Sequence, residues 1–304
     1  EQEQVHRYIE QSIIKNWDRN ADRLQRNYTA IQRCSTEIAK FHIVLESAGI
    51  RPGDKIAVCG RNSAHWAVAF LATVTYGAVI VPILHEFKAD NIHNIVNHSE
   101  AKLLFVATGH GKTSMKGNAP ADGYRTADGL HSGSLPQRAA DGAFEHRNVL
   151  YGTRFPKNFR PEHISYRKEE SPEELAVINY TSGTTGYSKG VMLPIAAFGP
   201  MLHIAMRCFP YRPGDHIVSM LPLGHDLVGV TIFYIRFSAG AHLLFPYPYA
   251  VSQDIAQSFS EIRPRVISCV PLIVEKIIKK DNPAPEDNKI GKLLLRMPIV
   301  SDKI

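Results

Sequence analysis

Apolar segments of strand length alternate with amphipathic helical segments along this chain. In the first part, Ile38, Phe41, Val44 and Leu45 fall on one face of a helix, and residues 103–106 form an apolar run of strand length. Strands that alternate with helices favour mostly parallel sheets that helices cover on both faces. We therefore predict an α/β fold.

The pattern occurs twice in the same order. The sequence RPGDKI at residue 51 is similar to RPGDHI at residue 212, and a Gly-Ala pair precedes an apolar strand at residue 77 and again at residue 240. Asp90 and Asp254 are candidate N-caps of the helices that follow. The offsets of 161, 163 and 164 residues predict two pseudo-symmetric, helix-covered subdomains, residues 1–150 and 151–304. The polar residues between the repeats predict a poorly defined connection, and the second subdomain is expected to be incomplete.

One uncharged stretch needs to be distinguished from a membrane span. Residues 67–84 carry no charge over 18 positions, close to the lower limit for a spanning helix. Gly77 divides the run, and Asn62 or Ser63 is a candidate N-cap. We predict a buried helix that ends before Gly77, followed by a buried strand over residues 78–83.

The composition and charge of the chain limit the kinds of partner and compartment that it suits. The 304 residues are 44% hydrophobic and 21% charged, with a net charge of +6, which is typical of a globular protein. Because Lys and Arg are scattered, we expect no nucleic-acid partner; the basic excess suits a polyanionic small substrate or an anionic membrane surface.

The four cysteines form no C-x-x-C pair and favour a reducing compartment without disulfides or zinc: Cys34, Cys59, Cys208 and Cys269. We expect a cytoplasmic protein, with peripheral contact at the inner face of a membrane left open, and the oligomeric state is undetermined.

The most informative polar segment is residues 180–190, YTSGTTGYSKG. Apolar runs on both sides predict flanking strands, the second of which ends at Pro194. Glycines allow backbone N–H groups to converge, while the hydroxyls and the Lys189 ammonium add donors for an anion. We therefore predict a phosphate-binding hairpin. Its predicted ligand-binding residues are Thr181, Ser182, Gly183, Thr184, Thr185, Gly186 and Lys189.

This loop differs from the Walker loop of P-loop nucleoside triphosphatases. That motif has Gly before its Lys and a helix after it, whereas Ser188 precedes Lys189 and a predicted strand follows. Residues 109–113, GHGKT, come closer to the motif, but Val106 stands where its first Gly is required. A P-loop enzyme stays an alternative that Lys112 would have to support.

A second candidate segment, residues 221–229, has the sequence LPLGHDLVG and follows the predicted strand at 216–220. Ligands of open α/β sheets bind beyond the carboxyl ends of the strands. His225 is therefore a candidate site residue, with a hydrogen-bonded structural role as the alternative. The other histidines lack metal-ligand spacing, and no G-x-S-x-G segment indicates a serine hydrolase.

Residues 180–190 resemble the signature of the adenylate-forming superfamily, which comprises acyl-CoA synthetases, luciferases and peptide-synthetase adenylation domains. Ser188 stands where that signature usually has Pro. The L-P-L-x-H pattern at 221–225 resembles a second segment of the same family. Further segments look like the long-chain fatty acyl-CoA ligase branch: residues 76–79, 97–102 and 271–277.

The resemblance implies the two mostly parallel sheets of the family's N-terminal domain, with its C-terminal domain absent. It implies an ATP-dependent acid–CoA ligase that activates a long-chain fatty acid through acyl-AMP, with ATP and Mg²⁺ as cofactors and CoA as co-substrate. Lys189 and His225 are then the candidate catalytic residues. The resemblance implies that Lys189 neutralises phosphate charge and that His225 lies beside the acyl carboxylate. Thr184 is the candidate Mg²⁺ ligand.

The family's later segments, which bind adenine and ribose and supply a catalytic Lys, do not occur by residue 304. We therefore expect the N-terminal part of a longer enzyme, with weak or no turnover by itself. Two alternatives stay open: an adenylation domain that loads another carboxylic acid onto a carrier protein, and a non-catalytic nucleotide-binding module.

Overall fold

The computed structural model of the protein divides the chain into two compact units. One comprises residues 1–213 and 222–241, and the other comprises residues 214–221 and 242–304. The structure describes residues 5–17, 31–106, 125–126, 155–156, 158–181, 189–201, 207, 212, 214–221, 223–224, 240–244, 259, 263–269 and 275.

The described part of the first unit contains a six-stranded sheet with helices between its strands. The helices are α1 (Val5–Lys15), α2 (Ile31–Ser47), α3 (Ala64–Tyr76) and α4 (Ala89–Ser99). The strands are β1 (Lys55–Gly60), β2 (Val79–Leu84), β3 (Leu103–Val106), β4 (Arg125–Thr126), β5 (Leu175–Thr181) and β6 (Lys189–Pro194). Their order is β4-β3-β1-β2-β5-β6, and every neighbouring pair is parallel except the antiparallel pair β5–β6. The predicted α/β fold with a mostly parallel sheet is confirmed.

The uncharged run forms a buried helix and a buried strand, as predicted. Ser63 caps α3, since its side chain accepts a hydrogen bond from Trp66 N at 3.1 Å. Gly77 ends the helix with a φ of 85°, a left-handed conformation that favours glycine. Both α3 and β2 are packed within the core. None of the helices in the described ranges combines the length and apolar character that crossing a bilayer requires.

The predicted start of α4 is wrong. Lys88 occupies the N-cap position without a side-chain cap, and Asp90 lies in the first helical turn. A carboxylate is favourable at either place, because both lie near the positive end of the helix dipole. Ile92, Ile95 and Val96 form the inward face of α4 and are buried in the core against the sheet.

The described part of the second unit contains a three-stranded parallel sheet. Its strands are β7 (His216–Ser219), β8 (His242–Leu244) and β9 (Val266–Ser268), in the order β8-β7-β9.

The two sheets share one internal arrangement, which confirms the predicted duplication. In each repeat the first strand lies between the second and the third, as β2-β1-β3 and as β8-β7-β9. Lys102 N donates to Lys55 O at 2.8 Å, and Arg265 N donates to His216 O at 2.9 Å. The same backbone bond therefore joins the third strand to the first in both repeats.

The hairpin that contains Thr181 and Lys189 belongs to the first sheet. We expected it in a second subdomain that begins at residue 151, whereas β5 pairs in parallel with β2 through Val177 and Ile80. The central residues of β5 are apolar and buried. Placing this strand beside β2 extends the first hydrophobic core, which accounts for the difference from the expected boundary.

Candidate phosphate-binding hairpin

Strands β5 and β6 form an antiparallel hairpin at the predicted phosphate loop. Thr181 opposes Lys189 in the register, so the loop leaves the sheet from this pair, and both residues are exposed. Because a strand and not a helix follows Lys189, the prediction of a hairpin instead of a Walker loop is confirmed. Residues 182–188 lie outside the described residues. The predicted roles of the intervening loop residues, including Thr184 as a metal ligand, stay predictions.

The loop leaves the sheet at the edge where parallel α/β sheets bind ligands. Thr181 ends β5, which runs parallel to β2, and β2 runs parallel to β1. Thr181 therefore lies at the same edge as Gly60 and Leu84, the last residues of β1 and β2. Carboxyl ends of parallel strands are the usual place for a ligand crevice.

The segment before His225 lies against this same edge. Leu223 N donates to Asn62 Oδ1 at 2.7 Å, and a Cβ at position 224 would lie 3.4 Å from Ile83 O. Ser63 supplies the cap of α3, while Asn62, the other candidate cap, bonds to Leu223. The structure thus brings the second predicted segment to the sheet edge that carries the hairpin. His225 itself is outside the described residues, and its role stays a prediction.

The base of the hairpin is joined to α4 by a contact that the sequence did not indicate. The hydroxyl of Tyr180, a residue that is 6% exposed, lies 2.7 Å from Nδ1 of His98. His98 has no metal-ligand spacing with the other histidines, and the sequence indicates no contact between it and Tyr180. The two residues are 82 positions apart, so no local pattern predicts their contact.

The beginning of β5 is held by a carboxylate clamp. Glu174 Oε2 lies 2.6 Å from Arg167 Nη1, and Glu174 Oε1 accepts N–H groups from Ser171 and Glu170. Burial opposes ionisation, but these bonds outweigh it and hold the pKa of the Glu174 carboxyl below its usual value. Arg167 packs over Gly77, where a Cβ would lie 2.8 Å from Arg167 Cδ. The clamp therefore connects β5 to the turn before β2.

The described donors of the hairpin suit phosphate. Thr181 offers a hydroxyl and Lys189 an ammonium, and both groups donate to anionic oxygens. Mg²⁺ in such sites usually takes carboxylate ligands together with substrate phosphates. Within the described ranges, no group of three or more His, Cys, Asp or Glu residues could hold a metal. The candidate ligand Thr184 lies outside these ranges, so we assign no chemical step to the ion.

A cavity of about 730 Å³ lies elsewhere in the first unit. Its walls include Trp17, Phe155 and Phe159, with Thr36 of α2. Phe155 stacks on Phe159 at a centroid distance of 5.1 Å. Thr181 and Lys189, the predicted site residues that the structure describes, do not line this cavity.

Sequence comparison connects the chain to known ligases. Long-chain-fatty-acid–CoA ligase 5 of Rattus norvegicus is 26% identical over 259 residues, which cover 81% of this chain and 36% of that protein. Long chain acyl-CoA synthetase 1 of Arabidopsis thaliana is 26% identical over 254 residues, which cover 79% of this chain and 37% of that protein. A 3-[(3aS,4S,7aS)-7a-methyl-1,5-dioxo-octahydro-1H-inden-4-yl]propanoyl:CoA ligase of Rhodococcus jostii is 31% identical over 241 residues, covering 77% and 45%. The chain thus spans less than half the length of these curated relatives.

Solved structures show the same fold. The N-terminal domain of FACL13 from Mycobacterium tuberculosis matches with a TM-score of 0.67 and 18% identity, covering 89% of this chain and 65% of that one. A red-emitting luciferase from Phrixothrix hirtus matches with a TM-score of 0.72 and 15% identity, covering 91% of this chain and 52% of that one.

The fold, the hairpin and the relatives agree with one family. Its profile, that of the AMP-binding enzymes, matches residues 3–300. Because this match covers nearly the whole chain, the protein belongs to the AMP-binding enzyme family.

Proposed function

We propose that this chain forms the phosphate-handling part of an AMP-forming acid–CoA ligase whose substrate is a long-chain fatty acid. The observation that carries the proposal is the pair Thr181 and Lys189, which opens the hairpin loop at the carboxyl edge of the parallel sheet. The segment at Leu223 lies against the same edge. The names of the rat and Arabidopsis relatives support the acid–CoA ligase and the fatty acid substrate.

The reaction would proceed in two substitutions. A carboxylate oxygen attacks the α-phosphorus of ATP, the bond to the bridging oxygen breaks, and pyrophosphate leaves with that electron pair. The sulfur of CoA then attacks the acyl carbon of acyl-AMP, AMP leaves, and the thiol proton is released. Neither substitution needs a nucleophile from the protein, so the protein contributes by positioning its substrates and neutralising charge.

Within this chain, Lys189 would neutralise negative charge on the departing pyrophosphate, and the Thr181 hydroxyl would donate to a phosphate oxygen. A preorganised donor of this kind contributes about 10²–10³-fold to the rate of comparable steps. Since both residues extend from paired strands, their separation is set before the nucleotide binds. His225 would lie beside the acyl carboxylate, as the family resemblance implies.

The deciding experiment is carboxylate-dependent exchange of labelled pyrophosphate into ATP, measured with the full-length protein and a panel of fatty acids. We expect exchange with long-chain acids, and a loss of about 100-fold or more in Lys189→Ala. Lys168→Ala is the matched control, because Lys168 is an exposed lysine in the segment before β5. An equal loss in both variants would contradict the role of Lys189.

The same assay separates the alternatives. Exchange with other acids but not with fatty acids, and product transfer to a carrier protein but not to CoA, would favour the carrier-loading adenylation domain. ATP binding without exchange, for every acid tested, would favour the non-catalytic nucleotide-binding module and reject the ligase.

A further inference from the structure

One side-chain hydrogen bond joins the base of the phosphate hairpin to α4. Tyr180 directly precedes Thr181, and its hydroxyl lies 2.7 Å from Nδ1 of His98 in the last turn of α4. The two rings also meet edge to face, with centroids 5.7 Å apart and an interplanar angle of 83°. Burial raises the pKa of the Tyr180 hydroxyl, which therefore stays protonated at neutral pH. It donates to Nδ1 when the imidazole carries its proton on Nε2.

Tyr180 also controls how closely the two strands of the hairpin pack. It opposes Gly190 in the register of β5 and β6. A Cβ at position 190 would lie 3.2 Å from Tyr180 Cζ and 2.9 Å from Ile178 Cγ2. The Tyr180 ring therefore occupies the space that a side chain at position 190 would need. Because Gly190 directly follows Lys189, the backbone position of Lys189 depends on this contact.

The Tyr180–His98 contact is separate from the ligand side of the hairpin. Tyr180 is 6% exposed and belongs to the hydrophobic core that α4 packs against. Thr181, its neighbour in the chain, and Lys189, which opposes Thr181 in the register, are exposed. Tyr180 can therefore influence a bound phosphate only through the placement of these two residues.

We propose that His98 and Tyr180 are positioning residues for the nucleotide phosphates. Their hydrogen bond anchors the carboxyl end of β5 to α4 and thereby holds Thr181 and Lys189 at the separation that a pyrophosphate group requires. This inference rests on the proposed function for the identity of the ligand. It adds α4, an element remote from the hairpin in sequence, to the structure that positions Thr181 and Lys189.

The test measures binding of inorganic pyrophosphate and of ATP by calorimetry. Tyr180→Phe keeps the ring and removes the hydroxyl, while His98→Ala removes the other partner. Each substitution should weaken binding about fivefold, the effect of one hydrogen bond of average net strength. The double variant should bind no more weakly than either single variant, because both substitutions remove the same bond. His98→Asn, whose side-chain amide can accept the Tyr180 proton, should restore much of the affinity.

Asn97→Ala is the control, since Asn97 is the exposed neighbour of His98 in the same helical turn; it should leave both affinities unchanged. Thermal unfolding of each variant separates positioning from folding. A lowered unfolding temperature with unchanged affinity in Tyr180→Phe and His98→Ala would overturn the proposal, as would additive losses in the double variant. If Tyr180→Phe does not fold, the two His98 variants decide the question.

Ligand binding by the wild-type protein distinguishes failure of the proposed function from failure of the positioning role. A wild-type protein that binds neither pyrophosphate nor ATP would reject the proposed function, and the positioning role with it. A wild-type protein that binds both, with variants that bind equally well, would reject the positioning role alone.

Discussion

Lys102 Nζ lies 2.7 Å from Asp54 Oδ1, and this ion pair has a counterpart at 3.1 Å between Arg265 Nη1 and Asp215 Oδ2 in the second unit. In each repeat the aspartate directly precedes the first strand and the basic residue directly precedes the third. Asp54 also accepts the Arg51 N–H at 2.8 Å. Burial opposes its ionisation, but the bonds from Lys102 and Arg51 outweigh this effect and hold the pKa of Asp54 below its usual value.

Removing the aspartate should cost more stability than removing its lysine partner. The Lys102 side chain is 54% exposed and that of Asp54 17% exposed, so the ion pair itself contributes less than about 1 kcal/mol. Asp54→Ala also removes the exposed hydrogen bond from the Arg51 N–H, whose net contribution is about 0.5–1.5 kcal/mol, so it should lower the free energy of unfolding more than Lys102→Ala does. Urea unfolding followed by tryptophan fluorescence measures the free energy of unfolding of both variants. Glu173→Ala is the control, because Glu173 is exposed. Equal losses in Asp54→Ala and Lys102→Ala would contradict this reasoning.

Glycine should stabilise the end of α4. Glu100 follows this helix with a φ of 55°, a left-handed conformation that is costly for a residue with a Cβ. Glu100→Gly should therefore raise the free energy of unfolding by about 1 kcal/mol, because glycine adopts this conformation without strain. Glu100→Ala is the matched control: it removes the same exposed carboxylate but keeps the Cβ. Equal stability of the two variants in urea would refute the explanation.

The stability of the protein should fall in mild acid through His42. Its Nε2 donates to Ala72 O at 3.0 Å, and burial lowers its pKa from 6.5 to about 4. The unfolded chain therefore binds the proton more tightly than the folded protein between these values. The contribution of the neutral imidazole is complete above pH 6.5 and is lost as the pH falls to about 4. It amounts to at most about 3 kcal/mol.

Urea titrations at several pH values would measure this loss. His42→Gln keeps a donor for Ala72 O and should flatten the dependence between pH 6.5 and 4. His65→Gln is the control, because His65 is exposed. The buried His6, whose pKa burial also lowers although Glu169 opposes the shift, should leave a smaller residual slope of the same sign. An unchanged slope in His42→Gln would show that His42 does not titrate in this range.

A methyl group at position 190 should disturb the hairpin. The Cβ of Gly190→Ala would come within 2.9 Å of Ile178 Cγ2, and overpacking of this kind usually costs about 1–3 kcal/mol. We expect a lower unfolding temperature and weaker pyrophosphate binding. Gly199→Ala is the control, because a Cβ there meets no atom within 4 Å. A Gly190→Ala variant as stable as wild type would indicate that β6 shifts without cost.

Local sequence patterns are sufficient to predict the elements that depend on neighbouring residues. The cap at Ser63, the left-handed turn at Gly77 and the alternation of buried strands with helices follow from hydrogen bonds and periodicities within a few positions. The duplication was also evident, because similar residues recur at nearly constant offsets. The composition of the hairpin loop likewise predicts phosphate binding, which stays a prediction. The one local error, Asp90 as the N-cap, arose because carboxylates are favourable at several positions of a first helical turn.

Long-range packing selects the sheet to which the hairpin belongs and the contacts that hold it there. Strand β5 pairs with β2 and not with the second sheet, and Tyr180 meets His98 across 82 positions. Leu223 likewise bonds to Asn62 across 161 positions. These long-range contacts form because the strands and helices pack in the arrangement that buries their apolar side chains best. The free energy of that arrangement depends on the whole core and cannot be read from any short segment. Local patterns specify the strands and helices of this protein, while packing specifies the neighbours of the hairpin formed by β5 and β6.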